Sequence, residues 1–145
     1  LLAQAGEDRI TIKIYIQSQP WHMYSGVITR CIVAASTLPG GKDTAKKVFA
    51  AVAAHREEFE FTDHCSGPNM NVTPSQILAR IEEYSGVALA EAFAVPELQQ
   101  DVKWHCKYAR QNSIHVSPTF MVDGLIEPRM SSGDDVSHWV SILLG

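Results

Sequence analysis

The chain has 145 residues, of which 46% are hydrophobic and 19% charged, with a formal net charge of −4. That is one domain's worth of chain with the composition of a soluble globular protein and material for a real core. The mild acidity argues against a phosphate-binding surface, and no apolar run reaches the roughly 20 residues of a membrane-spanning helix.

The first residues show no secretory signal pattern. Leu1-Leu2-Ala3-Gln4-Ala5-Gly6 reads instead as the last turn of a helix with a glycine stop. Ile10, Ile12, Ile14 and Ile16 then alternate with Thr11, Lys13, Tyr15 and Gln17. Period two with β-branched residues predicts a strand, one isoleucine face packing on helices. Ser18-Gln19-Pro20 ends it, and a helix is expected over 22–35, with Met23, Val27, Ile28, Cys31, Ile32 and Ala35 as its stripe. Leu38-Pro39-Gly40-Gly41 breaks the pattern. A helix over 43–59 follows, with Ala45, Val48, Phe49 and Val52 inward.

The stretch 60–73 is a loop by composition. Thr73-Pro74-Ser75-Gln76 is a helix start: threonine as cap, proline at the first position, glutamine at the third. Ile77, Leu78, Ile81 and Tyr84 form the inner face, and Gly86 follows the end. A short helix over 88–94 precedes a longer one over 96–111, with Leu98, Val102, Cys106 and Ala109 inward and Asn112 as its stop. A final helix has Asp134-Asp135 in its first turn, with Val136, Trp139, Val140 and Leu143 inward.

Between these last helices lies Ile114-His-Val-Ser-Pro-Thr-Phe-Met-Val-Asp-Gly124. Pro118 has no N–H and suits only the first position of a strand. Phe120 and Val122 then point to one face and Met121 to the other. Asp123-Gly124 is a hairpin signal, with Leu125-Ile126 as the return strand and Pro128 ending it. This stretch resembles the cis-proline loop and terminal hairpin of the thioredoxin fold. The element order resembles its DsbA-like branch: an α/β, thioredoxin-like fold with a helical insertion, here about 22–112, in one domain spanning 1–145. The resemblance covers roughly 9–144.

That family opens with a strand and a helix that begins Cys-x-x-Cys, whose first cysteine is the nucleophile. Nothing here matches it. Cys31, Cys65 and Cys106 lie too far apart for Cys-x-x-Cys or zinc spacing, and Cys31 and Cys106 read as small buried hydrophobes. In the thioredoxin-like sheet the first strand lies between the 10–16 strand and the hairpin, which otherwise have no mutual partner. The expectation is therefore that about 20–40 residues, one βα unit, precede Leu1, or that another chain supplies the strand.

The resemblance implies a thiol–disulfide oxidoreductase or protein-disulfide isomerase acting on protein or peptide disulfides. No catalytic residue lies within the chain under that reading. Val116, Ser117, Pro118 and Thr119 would border the substrate groove, with the Ser117 backbone pairing with an extended substrate. Trp21 and His22 follow a strand end and could line the same groove. Trp21 reads equally as a hydrophobic staple for the next helix. No cofactor is implied. Two alternatives stand beside this one: a glutathione-dependent, kappa-type isomerase or transferase, whose motif after the hairpin is replaced here by Glu127-Pro128-Arg129-Met130, and a redox-inactive binding module.

His55, Glu58, Asp63, His64 and Cys65 fall close together but match no metal-site spacing. His105 and Cys106, adjacent on a helix, point apart and make a poor ligand pair. Trp104 and Tyr108 read as a packed i, i+4 pair, and Lys103, Lys107 and Arg110 as a solvated face. The odd cysteine count and the expected burial suit a reducing cytosol, with the periplasm as the alternative if the residues expected before Leu1 carry a signal peptide.

Overall fold

The computed structural model describes residues 1–59 and 71–145. It is mostly helical. The helices are α1 (Leu2–Ala5), α2 (Ser25–Ser36), α3 (Lys42–Ala54), α4 (Arg56–Phe59), α5 (Pro74–Ser85), α6 (Ala90–Ala94), α7 (Leu98–Gln111) and α8 (Val136–Leu144). Strands β1 (Met121–Val122) and β2 (Leu125–Ile126) pair antiparallel between α7 and α8. Two compact units result: Ile16–Tyr108, and Leu1–Tyr15 with Ala109–Gly145. The first overlaps the expected insertion.

In the Ile16–Tyr108 unit, α2 lies at the centre. Residues 31–35 are buried on every side, as the unbroken run Cys-Ile-Val-Ala-Ala demands: a helix apolar all round must be covered all round. Cys31, Ile32 and Ala35 join Val48, Ile77, Ile81 and Leu89 in one core. Val33 and Ala34 face a smaller cluster with Ala92 and Leu98. The expected stripes hold except at Met23 and Phe49, which are 48% and 41% exposed.

Local chemistry explains the ends of α5. The Gln76 amide donates to the Thr73 hydroxyl, and the Thr73 amide donates to the Gln76 side chain, closing a reciprocal capping box ahead of Pro74. Gly86, at φ 65°, supplies the left-handed stop that only glycine adopts without strain. Five residues are too few for an independent helix, so α6 needs help from outside. Glu82 accepts from the Leu89 and Ala90 amides at 2.6 and 2.9 Å, at its N-terminus. Arg30 donates to the Phe93 and Val95 carbonyls at 2.8 and 2.7 Å, at its C-terminus. Each charge has the sign the helix dipole favours.

The helix expected over 43–59 is broken at His55, which leaves helical geometry at φ −112° and ψ 27°. Its ring stacks on Tyr84 at 3.7 Å. Glu58 then accepts from the Tyr84 hydroxyl at 2.6 Å and from Arg80 at 3.0 Å. Tertiary partners on α5 thus meet the chain where it turns.

In the other unit α1 packs on α8, and Gly6 ends α1 at φ 94°. The stop of α7 falls one residue later than expected. Ser113, not Asn112, is left-handed, at φ 55°. The Ile114 amide returns to Ala109 and the Ser113 amide to Arg110, the two bonds of a Schellman motif. The hairpin turns at Asp123 and Gly124, both at positive φ as a type I′ turn requires. The Glu127 amide donates to the Phe120 carbonyl at 2.9 Å and extends the pairing.

The strand expected over 10–16 does not form. Residues 10–19 are neither helix nor strand, and the sheet of the described residues has only β1 and β2. Ile12 and Ile14 are 46% and 59% exposed rather than packed on helices. Alternation makes a segment fit to be a strand, but a ladder needs a partner to take its N–H and C=O groups. Only Ile16, at the end of the run, packs against the main core.

Candidate functional site

Val116, Ser117, Pro118 and Thr119 lie together in the loop before β1. The Ser117–Pro118 peptide bond is cis. The Thr119 hydroxyl donates to the Val116 carbonyl at 2.7 Å and ties the loop across the proline. Val116 is 67% exposed, and Ser117 and Pro118 are exposed as well. Behind it, Phe120 packs on Trp139 at 5.0 Å between ring centres.

After the hairpin the segment 127–135 is fastened by polar contacts. Arg129 donates from Nε and Nη2 to the two Glu127 carboxylate oxygens at 2.8 and 2.6 Å, and its amide adds a third bond at 3.0 Å. Those bonds hold the Glu127 carboxyl far below its ordinary range, at about 2. The Trp139 indole donates to the Ser131 carbonyl at 3.1 Å, and Asp134 accepts from the Ser131 amide at 2.6 Å.

Trp21 and His22 belong to the Ile16–Tyr108 unit, in the turn that enters α2. Their rings lie 6.4 Å apart. Trp21 is 55% exposed, and the N-cap of α2 is Tyr24, so Trp21 is not the staple of that helix. The turn is pinned at both ends. The Gln19 amide donates to the Ser25 hydroxyl at 2.8 Å, and the Ile16 amide donates to Nδ1 of His105 at 3.3 Å. The Tyr24 hydroxyl donates to the Val72 carbonyl. Beside the turn lies a cavity of about 370 Å³, walled by Ile28, Phe49, Val52 and Phe59, with His22 and Arg56 among its polar groups.

The Cys31 thiol is not a poised nucleophile. Burial pushes the Cys31 thiol up to about 12, with Glu82 adding to the rise, so it is a small core residue as expected. Cys106 is half-buried and free. Among the described residues no three His, Cys, Asp or Glu side chains gather as a metal site, and Asp63, His64 and Cys65 lie outside those residues. No described helix is long and apolar enough to cross a membrane.

Two residues that organise this region escape a reading of the sequence. His105 looks there like half of a poor ligand pair, yet it holds the Ile16 backbone across 89 positions. Arg30 is given no role there, yet it closes α6. Neither leaves a local signal, because both act on backbone groups far along the chain.

No family model and no curated protein matches the chain. A solved structure does: the crystal structure of a putative protein-disulfide isomerase from Pseudomonas syringae. It matches with a TM-score of 0.95 and 69% sequence identity, over 98% of this chain and 79% of its own. About a fifth of that protein's length therefore lies outside the match. At this identity and coverage, the chain belongs to the family of that Pseudomonas syringae protein.

Proposed function

We propose that the protein is a thiol–disulfide oxidoreductase of the protein-disulfide isomerase type, built on a DsbA-like thioredoxin fold. The observation that carries this reading is the 69% identity, across 98% of the chain, to a protein described as a putative protein-disulfide isomerase. The loop at Val116, Ser117, Pro118 and Thr119 supports it, since its first three residues are exposed and an accessible loop suits pairing with an extended peptide. Trp21, which is 55% exposed, and the half-buried His22 offer aromatic surface for the same class of substrate.

In this reading the nucleophile is a cysteine outside the 145 residues. Its thiolate attacks one sulfur of a substrate disulfide, forming a mixed disulfide and releasing the other sulfur as a thiolate. A substrate thiolate then attacks the mixed disulfide, forms a new substrate disulfide and returns the enzyme thiolate. No net electrons move, so isomerisation needs no further oxidant or reductant. Cys31 takes no part, because its thiol is buried and its thiolate disfavoured.

The test is intact mass and a denatured thiol count on the protein from its native source, before and after reduction, with reactivation of a scrambled disulfide protein as the assay. Two cysteines beyond Cys31, Cys65 and Cys106, forming a reversible disulfide, with turnover in the assay, are expected. Three thiols and no turnover would overturn the redox reading in favour of a binding module.

A further inference from the structure

A long-range hydrogen bond to the start of the turn 17–22 has a chemical condition attached. A backbone amide can only donate. For Ile16 N–H to reach Nδ1 of His105 at 3.3 Å, that nitrogen must carry a lone pair, and the ring must be the neutral tautomer with its proton on Nε2. Protonation puts a second N–H against the first and removes the acceptor. We propose that His105 is the positioning residue of the turn 17–22, holding it through the Ile16 amide only while its imidazole is neutral, so that mild acid loosens the turn that carries Trp21 and His22.

The surroundings fit. The ring is half-buried, with the edge of Trp104 at 5.5 Å between centres. Burial moves His105 below its ordinary 6.5, and Asp101, one turn earlier on α7, opposes that shift. From the turn and the helices beyond it, the titratable and charged groups sharing the cavity with Ile16 are His22 and Arg56. The sign follows. A histidine whose folded value is depressed contributes its stability in full above about 6.5, and loses it as pH falls through the folded value. The other end of the turn is tied by Ser18 and Ser25, which do not titrate. Acid therefore releases the His105 hold and leaves the serine ties at the other end.

Amide hydrogen exchange at Ile16, corrected for intrinsic rate and read by NMR from about pH 8 to about pH 5, tests this without disulfide chemistry, so its failure is distinct from failure of the isomerase reading. Protection in the wild type should fall at least about tenfold toward low pH. In His105→Gln, whose side-chain oxygen accepts without titrating, protection should change less than about twofold. In His105→Leu, which keeps the bulk and loses the acceptor, it should be low at both ends. The ring ¹⁵N shifts of His105 should show a proton on Nε2 at high pH. A flat wild-type profile, a proton on Nδ1, or full protection in His105→Leu would each overturn the proposal. A His105→Gln profile as steep as wild type would also overturn it, and move the switch to His22.

Discussion

The two units of this chain are stabilised in different ways. Among the described residues, Ile16–Tyr108 holds every fully buried large side chain, Ile77, Ile81, Leu89, Val48 and Cys31. In Leu1–Tyr15 with Ala109–Gly145 the buried hydrophobics are two alanines, Ala5 and Ala109, while Ile12, Ile14, Val116, Leu125 and Ile126 are exposed. The first unit is closed by packing. The second is fastened by hydrogen bonds, from Arg129 to Glu127 and from Trp139 to Ser131. The difference teaches something about elements. Helices satisfy their own backbone groups and need only cover one face, whereas strands need partners before they exist at all.

The sharpest way to break this contrast is a core deletion. Ile77→Ala, at a site with no exposure, should cost about 2–5 kcal/mol in chemical denaturation. A loss below about 1 kcal/mol would mean the first unit is not packing-limited. Next in size, Thr73→Ala removes the capping box of α5 and should cost about 1 kcal/mol. Asp135, the N-cap of α8, makes no side-chain capping bond, so Asp135→Ala should stay within about 0.5 kcal/mol.

The polar fastening has a pH signature. Glu127 is lowered from 4.5 to about 2, so its ion pair is complete above about pH 4.5 and is lost as pH falls through about 2. Carboxyl ¹³C titration should place its midpoint near 2, and Arg129→Gln should return it toward 4.5. An unchanged midpoint in Arg129→Gln would break the assignment. The smallest effect is expected at Leu125, which is 75% exposed. Leu125→Ala should shift stability by less than about 0.5 kcal/mol. A large loss would show that the hairpin is covered in solution.

Much of the molecule was written locally. Thr73, Pro74 and Gln76 determine where α5 begins, and Gly86 where it ends, because a cap and a left-handed residue act within one turn. Asp123-Gly124 determined the hairpin for the same reason. The stripe of α2 was legible at Cys31, Ile32 and Ala35, but the burial of Val33 and Ala34 waited for Ala92 and Leu98 to cover them. Other features waited for partners. The alternating isoleucines of 10–16 describe a surface suited to a sheet, but a strand is a relation between two segments. The break at His55 depends on Tyr84 and the hold on Ile16 depends on His105, each a contact no local pattern encodes. Capping, turns and periodicity are short-range forces readable from neighbours in sequence. Pairing, stacking and the protonation state of a clasped histidine depend on groups brought together only when the chain folds.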